Sequence, residues 1–302
     1  MEAGNTDRDT EMNNEVGIII VTYNPDIREF TKTLDSCRFQ CDMVAIVDNS
    51  EEDSIQSNLK KGVEHLENVK LVQMMTNTGI AKAQNVGIGL LADSGIDYFI
   101  EMDQDSLLPE NYVSEMLESY WYLQRQGIKL CGIGPIAIDD RSDKPYVRYP
   151  GRSNFVEVDR TLSSGFMSSI DTFRSVGAKD EGLFIDLVDW EWSFRAKSLG
   201  FRTYVDTHLK MRHMLGEGRR AFLFLSLGVP QPLRHYYQFR NTILLARRGY
   251  VPLQWKMGNV CKLAFKLVAY PLLLGSGRER LSYMLLGLRD GLKGRTGAMN
   301  GR

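Results

Sequence analysis

The sequence predicts an α/β protein: a doubly wound mixed, mostly parallel sheet flanked by helices, with a helical, membrane-associating extension at its C-terminal end. Two patterns point there. Short apolar, β-branched runs at residues 16–21 (Val-Gly-Ile-Ile-Ile-Val), 43–47, 69–73 and 98–102 alternate with helical segments, as strands buried on both faces do when helices cross over between them. Each run also stops in a polar cluster, and ligands of such sheets bind beyond the carboxyl ends of the strands.

Taken in order, strand 16–21 runs into Thr22-Tyr23-Asn24-Pro25, and a helix follows over 27–37. Strand 43–47 ends in Asp48-Asn49-Ser50, a polar helix covers 54–66, and strand 69–73 leads to Asn77-Thr78-Gly79. A helix with small residues on one face covers 80–93. Strand 98–102 then enters Asp103-Gln104-Asp105-Ser106. Beyond it lie a helix over 111–126, a strand over 130–133, and a mixed-charge segment over 139–154 that reads as a surface loop or hairpin. Residues 160–170 read as a further extended element around Ser163-Ser164-Gly165, where glycine lets the backbone approach a ligand closely. The last helix of the sheet domain begins at Asp189 and ends at Gly200. The expected boundaries are a disordered leader over 1–15, a catalytic-type domain over 16–248 and an amphipathic helical extension over 249–302.

With 302 residues and 43% hydrophobic content the chain can fill a large core. Four scattered cysteines without a Cys-x-x-Cys pair argue against a zinc site and a disulfide framework, and fit a reducing cytoplasm. Residues 1–15 are polar and lack the apolar core of a signal peptide. The net charge of −1 conceals an asymmetry: residues 1–209 hold 20 basic against 35 acidic residues (−15), residues 210–302 hold 17 against 3 (+14). The final third should therefore face an anion, membrane lipid or phosphate in preference to nucleic acid. Lysines at 262 and 266 and a proline at 271 interrupt the apolar tail, so residues 252–292 are expected to lie in a membrane interface and not to cross it.

Several residues carry candidate chemistry. Asp103 and Asp105 alternate at a strand end, so a bend can aim both at one hard cation, Mg²⁺ or Mn²⁺. Asp48 can accept from a base N–H or a ribose hydroxyl, and Tyr23 offers a ring for stacking. Asp186, Asp189 and Glu191 flank Trp190 and Trp192, a density suited to holding sugar and to general-base work on an alcohol. His213 follows these acids and could complete a metal site. Arg219, Arg220, Arg234 and Arg240, mixed with Tyr236 and Tyr237, suit phosphate.

In this order, Val-Thr-Tyr-Asn (21–24), Val-Asp-Asn (47–49), the 77–87 stretch, Asp-Gln-Asp-Ser (103–106), Asp-Trp-Glu-Trp-Ser-Phe-Arg (189–195) and His-Met-Leu-Gly (213–216) resemble glycosyltransferase family 2, inverting enzymes with a GT-A fold. Within it the chain is similar to bacterial rhamnosyltransferases of surface-polysaccharide synthesis. The resemblance implies dTDP-L-rhamnose as donor, a lipid-linked or oligosaccharide acceptor, and work at the inner face of the plasma membrane. It gives Thr22, Tyr23, Asn24, Asp48 and Asp103 to the nucleotide, with Asn77, Gly79 and Asn85 shaping the pocket. Asp105, His213 and Asp103 would hold the metal, Asp189 would be the base, and Trp190 and Glu191 would contact sugar. Ser164 and Gly165 are expected on the sugar side, and Arg240 at the lipid diphosphate. Val188 stands where many relatives carry an acid, which leaves Asp186 as a reserve base. A donor such as UDP-galactofuranose and a non-catalytic carbohydrate-binding scaffold are the alternatives. A sugar-nucleotide pyrophosphorylase would need a glycine-rich loop where Thr22-Tyr23-Asn24-Pro25 stands.

Overall fold

The computed structural model describes residues 14–139, 143–147, 149, 153–213, 219–222, 225–228 and 230–299, with side chains of 213–229 excluded. The expected leader thus falls almost wholly outside the described residues. The first half is the βα alternation: β1 Val16–Thr22, α1 Ile27–Arg38, β2 Met43–Asp48, α2 Asp53–Val63, β3 Val69–Gln73, α3 Ile80–Asp93 and β4 Tyr98–Asp103. After α4 Tyr112–Arg125 come β5 Leu130–Asp139, β6 Lys144–Pro145, β7 Phe155–Val158, β8 Phe166–Ser169, α5 Ile170–Val176, α6 Val188–Ser198 and β9 Arg202–His213. A hairpin (β10 Arg219–Phe222, β11 Leu225–Gly228) and three helices, α7 Pro232–Ala246, α8 Leu253–Leu273 and α9 Gly277–Leu292, complete the chain.

The main sheet runs β3-β2-β1-β4-β8-β5-β9-β7, with β6 on the end of β5. Strands β3, β2, β1 and β4 are parallel, as the uniformly apolar runs require. Strand β8 then enters antiparallel between β4 and β5, so the sheet is mixed. Two residues account for its position. Gly165 at φ 81° turns the chain into β8, and its N–H binds the Glu101 carbonyl on β4 at 2.7 Å. Strand β5 extends to Asp139, six residues past the predicted end, because its outer half pairs with β6 and β9. The core lies on both faces, Ile18, Ile20, Val44, Ile46 and Ile100 beneath α1 and α4, and Ile19, Ala45 and Phe99 packed with Leu91 of α3.

The C-terminal helices are built against the domain. Beyond Gly287 and Gly291 on α9, an added Cβ would stand 2.4 Å from the Tyr236 carbonyl oxygen and 2.9 Å from that of Arg240, so α9 seats directly on the backbone of α7. Phe239, Leu263, Tyr270 and Met284 form the shared core. On α8, Lys266 turns inward to Gln238 Oε1 at 3.1 Å, whereas Lys262 is exposed. The outer face of α8 carries Leu253, Met257, Val260, Val268 and Leu272, 47% to 78% exposed. No described helix is long and apolar enough to cross a membrane.

Candidate active site

A cleft of about 690 Å³ opens at the carboxyl ends of β1 and β4, walled by Thr22, Tyr23, Asn49, Asn77, Gly79, Asp103, Asp105, Ser164, Asp189, Trp190 and Arg234, among others. Its first wall is a polar rim held by side chains. Thr22 and Ser50 donate to one oxygen of buried Asp48, at 2.9 and 2.6 Å, while Asp48 Oδ2 has no partner among the described residues. A buried acceptor left open behind the rim is suited to an N–H or hydroxyl donor of a ligand. Asn49 ties β2 to the loop before α3, accepting from Thr78 and donating to the Gly79 carbonyl at 3.2 Å. Gly79, at φ 82°, lies under Phe184, where a Cβ would meet the ring at 2.6 Å, and its N–H binds Asn77 Oδ1. Tyr23 is 45% exposed, with its backbone fixed by both ends of the Gln104 amide.

Asp103 closes β4 and its N–H donates to the Ser164 hydroxyl oxygen at 3.3 Å; Asp105 is exposed two residues on. These hard oxygen donors fit Mg²⁺ or Mn²⁺, which takes one or two protein carboxylates and leaves its other positions to water and phosphate. Among the described residues no group of three or more His, Cys, Asp or Glu side chains converges on such a point. The backbone of His213 ends β9 opposite Asp139, and its side chain lies outside the described residues.

The opposite wall is the start of α6. Leu187 adopts φ 67°, so the helix begins at Val188 and Asp189 occupies its first turn instead of the cap. Burial pushes the Asp189 carboxyl up to about 6, against the opposing pull of Lys179 and the Trp190 N–H. Such a group is ionised at neutral pH yet close enough to it to exchange a proton. Asp186 also faces the cleft, but Arg234 holds it at 2.6 Å, so the reserve base is committed to an ion pair. Below the site, buried Lys179 and Glu101 meet at 2.5 Å. Nothing in Gly-Ala-Lys-Asp or Phe-Ile-Glu-Met announces that pair, because only the tertiary fold brings positions 101 and 179 together.

Several sequence assignments change in the structure. Glu191 is 1% exposed and engages Arg195, Arg248 and the Tyr250 hydroxyl, so it braces α6 and does not touch the cleft. Arg240 is fully buried between Tyr236 and Tyr237 and donates to the carbonyls of Leu183 and Gly297, which leaves no donor facing a lipid surface. Asn85 does not line the cleft and pins the backbone of Lys179 at 2.9 Å. Gly165 supports β8, with Tyr112 on its carbonyl, while Ser164 lines the cleft. Asn24 turns out of β1 at φ 47°, exposed, its N–H bound to Ser50. Sequence reasoning left Gln104, Asn49 and Ser163 without roles, although each sits inside a motif it had singled out.

A sheet whose parallel half ends in a nucleotide-type rim, with acids where its mixed half begins, is the architecture of a GT-A glycosyltransferase. Known proteins agree. Residues 17–148 match the family model described as Glycosyl transferase family 2. The chain is 30% identical to the dTDP-rhamnosyl transferase RfbF of Shigella flexneri, over 95% of this chain and 98% of that protein. The chain belongs to glycosyl transferase family 2 and is a glycosyltransferase similar to rhamnosyltransferases. Its fold also matches Staphylococcus aureus TarS 1–349 solved with UDP-GlcNAc (TM-score 0.57, 14% identity, 92% of this chain and 81% of that one). A second match is GalNAc-T7 solved with UDP, GalNAc and Mn²⁺ (TM-score 0.56, 12% identity, 85% of this chain), of which the present chain spans 57%.

Proposed function

We propose that the protein transfers L-rhamnose from dTDP-L-rhamnose to a hydroxyl of a lipid-linked saccharide, with inversion, in the synthesis of an O-antigen or capsule type of surface polysaccharide. The observation that carries this is Asp189, held near 6 by burial on the wall facing Asp103 and Asp105. The similarity to a dTDP-rhamnosyl transferase over nearly the whole chain supports the donor.

In this reading the thymine and ribose sit on the β1–β3 rim, with the open Asp48 oxygen and the Tyr23 ring as their partners. Asp105, with Asp103 and His213, would hold Mg²⁺ or Mn²⁺, whose charge offsets that of the departing diphosphate. Arg234, 42% exposed in its side chain and paired with Asp186, adds a cation to the lining of the same cleft. Asp189 takes the proton of the acceptor hydroxyl as that oxygen attacks the anomeric carbon from the face opposite the nucleotide. Trp190, which lines the cleft beside Asp189, would touch the acceptor sugar.

The protein would work at the inner face of the bacterial plasma membrane, resting there through residues 252–292. The apolar outer stripe of α8 and the excess of basic residues after position 209 support this. The deciding assay measures nucleoside diphosphate released from a panel of sugar nucleotides with lipid-linked acceptor and Mn²⁺. Preference for UDP-galactofuranose would overturn the donor, and turnover unaffected by Asp189→Asn or by chelation would overturn the base or the metal.

A further inference from the structure

Arg160 lies in the chain between β7 and the 162–164 rim of the cleft. Its guanidinium carbon stands 4.1 Å from the centre of the Trp190 ring and 6.0 Å from that of Phe194. The side chain is half-buried, and burial depresses its pKa while Asp159 and Asp189 pull it back up. Among the described residues it makes no hydrogen bond and no ion pair, although a guanidinium has five donors.

Stacking on an indole engages the flat face of the group and leaves the donor fork at its edge free. Such a fork matches phosphate oxygens in pairs. Partial burial strengthens that match, because fewer waters compete for the donors. The position is also telling. Trp190 directly follows Asp189, and its ring is met edge-on by Trp255 at the start of α8, 6.1 Å between centroids. The guanidinium and the Trp255 indole thus share the Trp190 ring, one residue from the base.

We propose that Arg160 is the receptor for the phosphate that joins the acceptor saccharide to its lipid carrier. This rests on Asp189 being the base, and it adds an acceptor-side anion site distinct from the donor diphosphate site at Asp103, Asp105 and Arg234. Its role is binding: it holds the acceptor while Asp189 removes the proton.

The test is calorimetric titration of the full-length protein, pre-saturated with dTDP and Mn²⁺, with geranyl diphosphate; geraniol and inorganic pyrophosphate serve as comparisons. Wild type should bind geranyl diphosphate alongside dTDP and ignore geraniol. Arg160→Gln should bind it at least tenfold more weakly with unchanged dTDP affinity, and Arg160→Lys, which keeps charge but loses the fork, should fall between. Equal affinity in wild type and both variants overturns the proposal, as does displacement of dTDP by geranyl diphosphate. Pyrophosphate binding as tightly as geranyl diphosphate would assign the site to free phosphate and overturn the lipid source. Failure of wild type to bind dTDP would instead count against the donor reading, while the Arg160 dependence of geranyl diphosphate binding is scored on its own.

Discussion

Trp255, in the first turn of α8, sets its ring edge-on to Trp190, the residue after the candidate base Asp189, with centroids 6.1 Å apart. It meets Phe194 on the same helix at 5.6 Å. The tail is thus packed directly against the helix that carries the candidate base. Trp255→Ala should cost about 3–5 kcal/mol in denaturant unfolding and lower kcat by loosening the first turn of α6. Trp255→Phe should be far milder, since the buried indole N–H it removes has no partner among the described residues.

The pH response follows from Asp189. With its carboxyl raised from 3.8 to about 6, kcat/KM should climb about tenfold per pH unit below 6 and level off above it. The sign for stability is opposite. A carboxyl whose folded pKa lies above its unfolded value favours folding when protonated, and that stability is lost as pH rises from 3.8 through 6. Asp189→Asn should therefore abolish the pH-dependent turnover yet melt higher than wild type at pH 8, with the gain vanishing near pH 3. Melting curves of both proteins at the two pH values check this.

The Lys179–Glu101 pair, each side chain 2% exposed, gives a separate test of the framework. Lys179→Met leaves a buried carboxylate unpaired and should cost about 3–5 kcal/mol. Combining it with Glu101→Leu should restore most of the loss, because a buried ion pair adds little over apolar residues of similar volume. A double-mutant cycle by urea unfolding reads both.

For the α8 stripe, Met257→Glu with Val268→Glu should leave the melting temperature within a degree or two of wild type, as both side chains are more than 60% exposed. The same variant should lose most of its co-sedimentation with vesicles containing phosphatidylglycerol. Pelleting equal to wild type would refute lipid contact through this face.

The sequence reading succeeded where chemistry is local. Uniform apolar runs located β1 to β4 to within a residue, and the strand-end position of Asp103 and the helix-start position of Asp189 placed both on the cleft. It failed where a polar residue's role depends on what folds against it. Arg240 reads as a surface cation until Leu183 and Gly297 bring carbonyls to it, and Glu191 reads as a sugar ligand until Arg248 and Tyr250 arrive from the connection between α7 and α8. The order of the strands in the mixed half was not readable, for a related reason. Strand β8 has four residues, and its antiparallel insertion depends on pairing with β4 and β5, not on any pattern of its own.

The tie between Gly297 and Gly182 bears on how the protein should be handled. The Gly297 N–H binds the Gly182 carbonyl at 2.7 Å, and Arg240 grips the Gly297 carbonyl, so residues near the C-terminal end brace the loop leading to Asp186 and Asp189. An affinity tag fused after residue 302 would pull on that brace, and its removal by a protease would have to act beside it. A tag ahead of β1, whose first residue lies at the opposite end of the strand from the cleft, is the arrangement that leaves turnover measurements undisturbed.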